Sequence, residues 1–255
     1  MCQTSTVPES LRDFFAKNPK VAVAFSGGTD SSYLLYAAVE SGADAVAVFV
    51  STPFQFPGEK EEAERMAKDL GAEFHVAEAR LMNDPDIISN TAERCYFCKR
   101  RVLGAIASVT EKERVLIDGT NATDDPDDRP GTRALAEFRV QSPLRICGIG
   151  KPEVRELSRR AGLSTWDRPS NSCLATRVPT GIRLDRNLLD TVSDCEEALR
   201  SLGFREFRVR TNGWDAVLET VSEQQPLLES KKAEVERILL KYHRTVSYKE
   251  RRPRL

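Results

Sequence analysis

The stretch SGGTDSS, Ser26 to Ser32, gathers small and polar residues in a pattern that can do chemistry. Ser26, Gly27 and Gly28 favour a tight turn and let a ligand approach the main chain closely. Asp30, Ser31 and Ser32 crowd the first turn of the expected following helix, where hydroxyls bond phosphate oxygens and a carboxylate holds Mg²⁺. A turn that leads from a strand into a helix presents unpaired N–H groups and a positive dipole end, so the expected guest is a phosphate. The spacing fits neither GxxxxGK[ST] nor GxGxxG. A plain strand-to-helix connection that binds nothing would not need so polar a first turn.

The second set of reactive residues is sulfur. ERCYFCK places Cys95 and Cys98 in a CxxC, and NSCLATR carries Cys173. A CxxC by itself is half of a zinc site, a redox pair, or part of an iron–sulfur site. Structural zinc takes four protein ligands and would have to recruit Cys147, Cys195 or one of the two histidines. Three thiolates suffice for a [4Fe–4S] cluster and leave one iron for an exogenous ligand such as sulfide. Cys147 and Cys195 are expected to be small buried apolar residues.

These residues need elements to position them. Val21 to Phe25 is a short uncharged run, as expected for a strand covered on both faces, and Tyr33, Leu34, Leu35, Ala37 and Ala38 continue at helical spacing. AVAVFV (residues 45–50) reads as a second strand, residues 59–70 as an acidic surface helix, residues 74–77 as a third strand and VLID (residues 115–118) as a fourth. Such alternation predicts βαβ units around a parallel sheet, with ligands at the carboxyl ends of the strands. After about Val178 the pattern changes: a helix over residues 186–202, half-exposed strands in REFRVRT and AVLETV, a helix over 226–242 and a last strand near Val246. The expected fold class is α/β, with a parallel-sheet domain over residues 1–180 and a smaller α+β domain over 181–255. Trp166 is expected in the core.

The whole chain narrows the partners. Its 255 residues hold 38 basic and 39 acidic side chains, so the balanced charge gives no reason to expect nucleic acid. No apolar run is long enough to span a bilayer, so no membrane partner is expected. MCQTSTVPES lacks the charged and apolar regions of a signal peptide, and the expected location is cytoplasmic. In that compartment the six cysteines, Cys2 included, are expected to be reduced.

The residues SGGTDSS resemble the pyrophosphate loop of the PP-loop ATP pyrophosphatases, whose fold is adenine nucleotide alpha hydrolase-like. The resemblance implies ATP as cofactor, cleaved between its α and β phosphates, with AMP placed on an oxygen of the substrate. Asp30 is then the expected Mg²⁺ ligand. The strand ending at Asp118 runs into DGTNATDDPDDRPGTRAL, from which Gly119, Asn121 and Arg129 are expected to face nucleotide or substrate. The end of the second strand, Phe49 to Thr52 and so Ser51, is the natural adenine slot. Most of the carboxylates among Asp124, Asp125, Asp127 and Asp128 are expected to be solvated.

A closer resemblance covers Val21 to Val221. AFSGGTDSS, ERCYFCK, GTNATDDPDDRPGTRAL, SPL, GIGKPEVRELSRRAGLSTWDRPSNSCLATRVPTG and LRSLGFREFRVR follow one another as in the LarE family, sulfur transferases that make a nickel-pincer cofactor. This implies a small-molecule nucleotide substrate, a pyridinium biscarboxylate mononucleotide, one carboxylate of which is adenylated and converted to a thiocarboxylate. It also makes a homo-oligomer the expectation. The family has two forms: a cysteine at the Cys173 position surrenders its own sulfur, or Cys95, Cys98 and Cys173 hold a [4Fe–4S] cluster that delivers sulfide. All three cysteines are present, which favours the cluster. Arg177, Arg208 and Arg210 are the expected partners of substrate carboxylates or phosphate, since a guanidinium fork fits both. No motif identifies the sulfur donor. The alternatives are tRNA thiolation, an amide ligase, and a zinc-stabilised nucleotide-binding module without catalysis.

Overall fold

The structure is a computed structural model that describes residues 6–124, 131–169 and 172–251. Cys2, Asp125, Asp127, Asp128 and Arg129 lie outside the described residues. Seven strands are described: β1 (Lys20–Ala24), β2 (Asp44–Ser51), β3 (Glu73–Glu78), β4 (Val115–Asp118), β5 (Phe207–Thr211), β6 (Asp215–Thr220) and β7 (Thr245–Glu250). The α-helices are α1 (Glu9–Lys17), α2 (Thr29–Glu40), α3 (Glu59–Asp69), α4 (Pro85–Ile88), α5 (Arg94–Val109), α6 (Thr132–Glu137), α7 (Pro143–Ile146), α8 (Lys151–Arg160), α9 (Arg186–Ser201) and α10 (Gln225–Leu239). None of them is long and apolar enough to cross a membrane.

The chain forms two compact units. The first comprises Met1–Thr52, Gly58–Ala79 and Cys95–Arg168. Its four strands are all parallel in the order β3-β2-β1-β4, with Val23 level with Ala47 on one side and Ile117 on the other. An all-parallel sheet needs helices over both faces, which is why β1 and β2 are uninterrupted apolar runs. Helix α2 follows the same logic: Tyr33, Leu34, Leu35, Ala37 and Ala38 are all buried, and they share one core with Val21, Val23, Phe49 and Ile117. Burying side chains such as Leu34 and Leu35 contributes about 1.5–3 kcal/mol each. Trp166 departs from expectation, since it is 41% exposed, and its carbonyl accepts from Arg155 Nη1 of α8 at 2.7 Å.

The second unit comprises Pro53–Pro57, Arg80–Arg94 and Pro169–Leu255, a division that follows no single cut at residue 180. Hydrogen bonds explain it. Leu174 N–H donates to Phe54 O, Gly181 N–H to Asn90 O and Leu184 N–H to Ile88 O, each at 2.8 Å. Buried Asn90 adds Nδ2 bonds of 2.9 Å to the carbonyls of Pro179 and Ile182. Main-chain pairing thus binds two early segments to the later chain. In the three-stranded sheet β5 and β6 are antiparallel, while β7 joins β6 in parallel after the α10 crossover. Phe207, Val209, Ala216 and Leu218 meet Leu199, Leu228 and Val235 in the core of this unit. Strand β5 is more buried than its alternation predicts, because Arg208 is also covered and Arg210 is only half-exposed.

Candidate active site

Strand β1 ends at Ala24, and the chain turns through Ser26, Gly27 and Gly28 into α2. Gly27 has φ +72°, and a Cβ there would stand 3.2 Å from Ala63 Cβ, so both conformation and space call for glycine. Gly28 caps α2 with no side-chain hydrogen bond, which leaves the first-turn N–H groups without a side-chain cap. The turn is braced from three sides. Ser26 Oγ and Ser31 Oγ are 3.1 Å apart, Thr29 Oγ1 donates to Thr165 O at 2.7 Å, and Arg168 Nη1 donates to Gly27 O at 3.1 Å while its other nitrogen pairs with Glu62. Exposed Ser26 and half-buried Asp30 lie at the open side of the turn. Ser32, expected to bond phosphate, is instead fully buried with its hydroxyl unpartnered, because its position in α2 faces the interior.

The end of β4 completes this corner. A Cβ on Gly119 would lie 3.0 Å from Ser31 N and 3.2 Å from Asp30 Cβ, so the strand end abuts the first turn of α2. Asn121 is buried, and its Nδ2 donates to Asp30 Oδ1 at 3.4 Å. Asp30 Oδ2 is held at 2.5 Å by Lys151 Nζ, from the first residue of α8. Asn121 also accepts from Thr123 Oγ1 at 2.6 Å, and its N–H donates to Asp124 Oδ2 at 3.0 Å, so Asp124 serves the turn. Beside them Asp118 is buried: it accepts from Ser142 Oγ and Thr120 Oγ1 at 2.7 Å and pairs with Lys99 Nζ at 3.2 Å. Burial pushes the Asp118 carboxyl up, but the Lys99 charge and the Ser142, Thr120 and Lys99 hydrogen bonds outweigh it and hold the carboxyl below the ordinary range. Ser51, at the end of β2, is half-buried, and its carbonyl accepts from Ala79 N–H at 3.1 Å.

Lys151, Lys99, Asp118 and Arg168 are the site residues that motif reading missed. Their one sequence signal was position. Asp118 ends a buried strand, Lys99 follows Cys98 directly, and Lys151 follows the pair Gly148 and Gly150 at a helix start.

Cys95 is exposed and Cys98 half-buried, three residues apart on α5, so both thiols fall on one side of the helix. Cys173 is exposed at the residue that precedes a short 3₁₀ turn, Leu174–Arg177, in the other unit. Among the described residues no group of three or more His, Cys, Asp or Glu side chains is arranged to hold a metal ion. Thiolate donors of this kind suit iron. The hard oxygens of Asp30, in the first turn of α2, suit Mg²⁺. Cys147 is half-buried against the core, and Cys195 is fully buried. Burial pushes the Cys195 thiol up to about 12, helped by the charges of Asp194 and Glu196.

The arginines expected to face substrate are largely committed within the second unit. Arg177 is 1% exposed; its Nε and Nη2 meet Glu196 Oε1 and Oε2 at 2.8 and 3.0 Å, and its Nη1 donates to Ser172 O and Oγ. A guanidinium buried in this way braces the segment after Cys173 rather than presenting a free fork to a ligand. Arg210 Nε pairs with Glu219 at 2.8 Å and its Nη1 donates to Thr176 O at 2.7 Å, while Arg208 is buried on the same face of β5.

No family model matches the chain. It is 35% identical over 219 residues to an uncharacterised protein of Synechocystis, a match that covers 85% of this chain and 82% of that protein. It is 30% identical over 210 residues to the pyridinium-3,5-bisthiocarboxylic acid mononucleotide synthase of Lactiplantibacillus plantarum, covering 81% of this chain and 75% of that enzyme. A GMP synthase of Thermus thermophilus shares 29% identity over 58% of this chain and 33% of its own length. The parallel sheet, the glycine turn at its edge and these relatives agree: the chain is an adenylating ATP-dependent enzyme of the PP-loop type and belongs to the LarE family of sulfur transferases.

Proposed function

We propose that this enzyme adenylates a carboxylate of pyridinium-3,5-biscarboxylic acid mononucleotide and converts it to a thiocarboxylate, with Mg²⁺ on Asp30 and sulfide supplied from a [4Fe–4S] cluster on Cys95, Cys98 and Cys173. The observation that carries the reading is the corner where Gly119 abuts Asp30 and Ser31 beneath the uncapped start of α2. Main-chain N–H groups there suit a polyphosphate, and the Asp30 carboxylate suits its metal. A carboxylate is a poor acyl donor because oxide is a bad leaving group. Attack of its oxygen on the α phosphorus of ATP expels pyrophosphate and makes an acyl adenylate. Sulfide then adds to the acyl carbon, the C–O bond to AMP breaks, and thiocarboxylate and AMP result. The loop's N–H groups stabilise charge on the departing pyrophosphate. A cluster held by three thiolates would supply the sulfide from its fourth iron. The substrate is supported by the relative that carries the name of this synthase, and a cytoplasmic homo-oligomer by the family resemblance.

Anaerobic purification followed by absorbance, iron analysis and product assay tests the proposal. About one four-iron cluster per chain is expected, with brown colour lost in Cys95→Ala, Cys98→Ala and Cys173→Ala, and AMP and pyrophosphate formed with the biscarboxylate. A colourless, zinc-bearing protein would defeat the cluster. A chain that loses the mass of H₂S in one turnover would instead establish sacrifice of Cys173.

A further inference from the structure

The Asp30 carboxylate, read above as the metal ligand, is already engaged. Lys151 Nζ lies 2.5 Å from its Oδ2, and Asn121 Nδ2 donates to its Oδ1 at 3.4 Å. An ammonium and a divalent cation cannot share one carboxylate oxygen at such range, because their like charges repel and both need the same lone pairs. Lys151 is also in an unusual place. It opens a helix of ten residues, where the dipole disfavours a cation, so α8 gains nothing in local stability from it.

The surroundings fix the base of this lysine. Lys151 N–H donates to Thr123 Oγ1 at 3.3 Å, and Gly150 sits so close to Thr123 that a Cβ would come within 2.9 Å of Cγ2. The side chains of Lys151 and Asp30 keep 13% and 24% of their exposure. A four-carbon stem anchored at its root can swing its ammonium between neighbouring anions without moving the backbone.

We propose that Lys151 gates the metal site: without nucleotide its ammonium occupies Asp30 and keeps a divalent cation out, and it releases Asp30 when the phosphates of ATP take the ammonium instead. Metal and nucleotide then enter together, which prevents a metal-loaded, nucleotide-free loop. The proposal rests on the reading of Asp30 as the metal ligand.

The test is Mn²⁺ binding to the whole, nucleotide-free protein, followed by electron paramagnetic resonance. Wild type is expected to bind Mn²⁺ weakly at this site, Lys151→Met at least roughly tenfold more tightly, and Lys151→Arg, which keeps a cation, as weakly as wild type. Adding the α,β-methylene analogue of ATP, which resists cleavage at that bond, brings wild type up to the Lys151→Met level. Equal Mn²⁺ affinity in wild type and Lys151→Met, both with unchanged melting temperatures, overturns the gate. Addition of Asp30→Asn to Lys151→Met is expected to abolish the gain; if the gain persists in that double variant, the Asp30 assignment fails instead.

Discussion

Two ion pairs of like composition differ in how far they are closed off from solvent. Arg177 and Glu196 are closed off, at 1% and 0% side-chain exposure, and Val209 N–H, Arg200 Nη2 and the Arg177 fork all converge on one carboxylate. Asp30 and Lys151 keep part of their surface in solvent and stand beside N–H groups that no side chain caps. The first pair is saturated and can only hold the chain after Cys173 in place. The second is a neutral pair that keeps part of its surface in solvent. What separates the two pairs is thus how many bonds converge on each carboxylate, since both have good geometry.

The contrast is broken most severely at Glu196. Glu196→Ala leaves Arg177 charged, buried and without its bidentate partner, so a loss of about 3–5 kcal/mol is expected by chemical denaturation. An unchanged denaturation midpoint would mean that the pair is no brace. Asp30→Ala is the counterpart in the first unit. Adenylation, followed as pyrophosphate release, is expected to fall by about 10²–10³-fold with little change in melting temperature. A variant that melts early instead would make Asp30 structural like Glu196.

A smaller effect is expected at Gly119, where the strand end meets α2. Gly119→Ala forces a methyl to within 3.0 Å of Ser31 N, and overpacking of about 1–3 kcal/mol should accompany a raised KM for ATP. KM that stays constant while stability drops would separate the packing from the nucleotide site. The mildest sharpening is by pH. The Asp118 carboxyl is held below its ordinary value of 3.8, so its contribution is full above that value and is lost as pH falls below it toward the folded value. Asp118→Asn is expected to flatten the acid limb of the stability profile, measured by denaturation between roughly pH 5 and pH 2. A limb that stays as steep would show that Lys99 does not favour the charged form.

Much of the nucleotide corner was legible because its signals are local. An apolar run, two glycines and three polar residues lie within a dozen positions, and strand and helix periods can be counted directly; VLID is β4 residue for residue. Lys151 escaped notice because its bond to Asp30 joins residues 121 apart. The alternation of FRVRT predicts a half-exposed strand, and the family resemblance points Arg208 and Arg210 at substrate. Alternation did put Arg208 and Arg210 on one side of β5, but it could not reveal that the segment around Thr176 covers that side. Trp166 stands outside the core expected of it, since a large apolar side chain reports a preference for burial and not the room to satisfy it.

The sequence by itself determined the elements and the residue types on offer: a parallel α/β sheet, a glycine turn that leads from β1 into α2, and three cysteines in CxxC and NSCLATR. These follow from short-range rules, the period of apolar residues and the conformational freedom of glycine. Only the tertiary structure decided which charges are used up and which remain available. It bound residues 53–57 and 80–94 to the later chain, locked Arg177 onto Glu196 and set Lys151 on Asp30. The physical reason is that charge pairing acts through space between side chains far apart in sequence, so a carboxylate's partner is settled only when the packed elements bring it within a few ångströms.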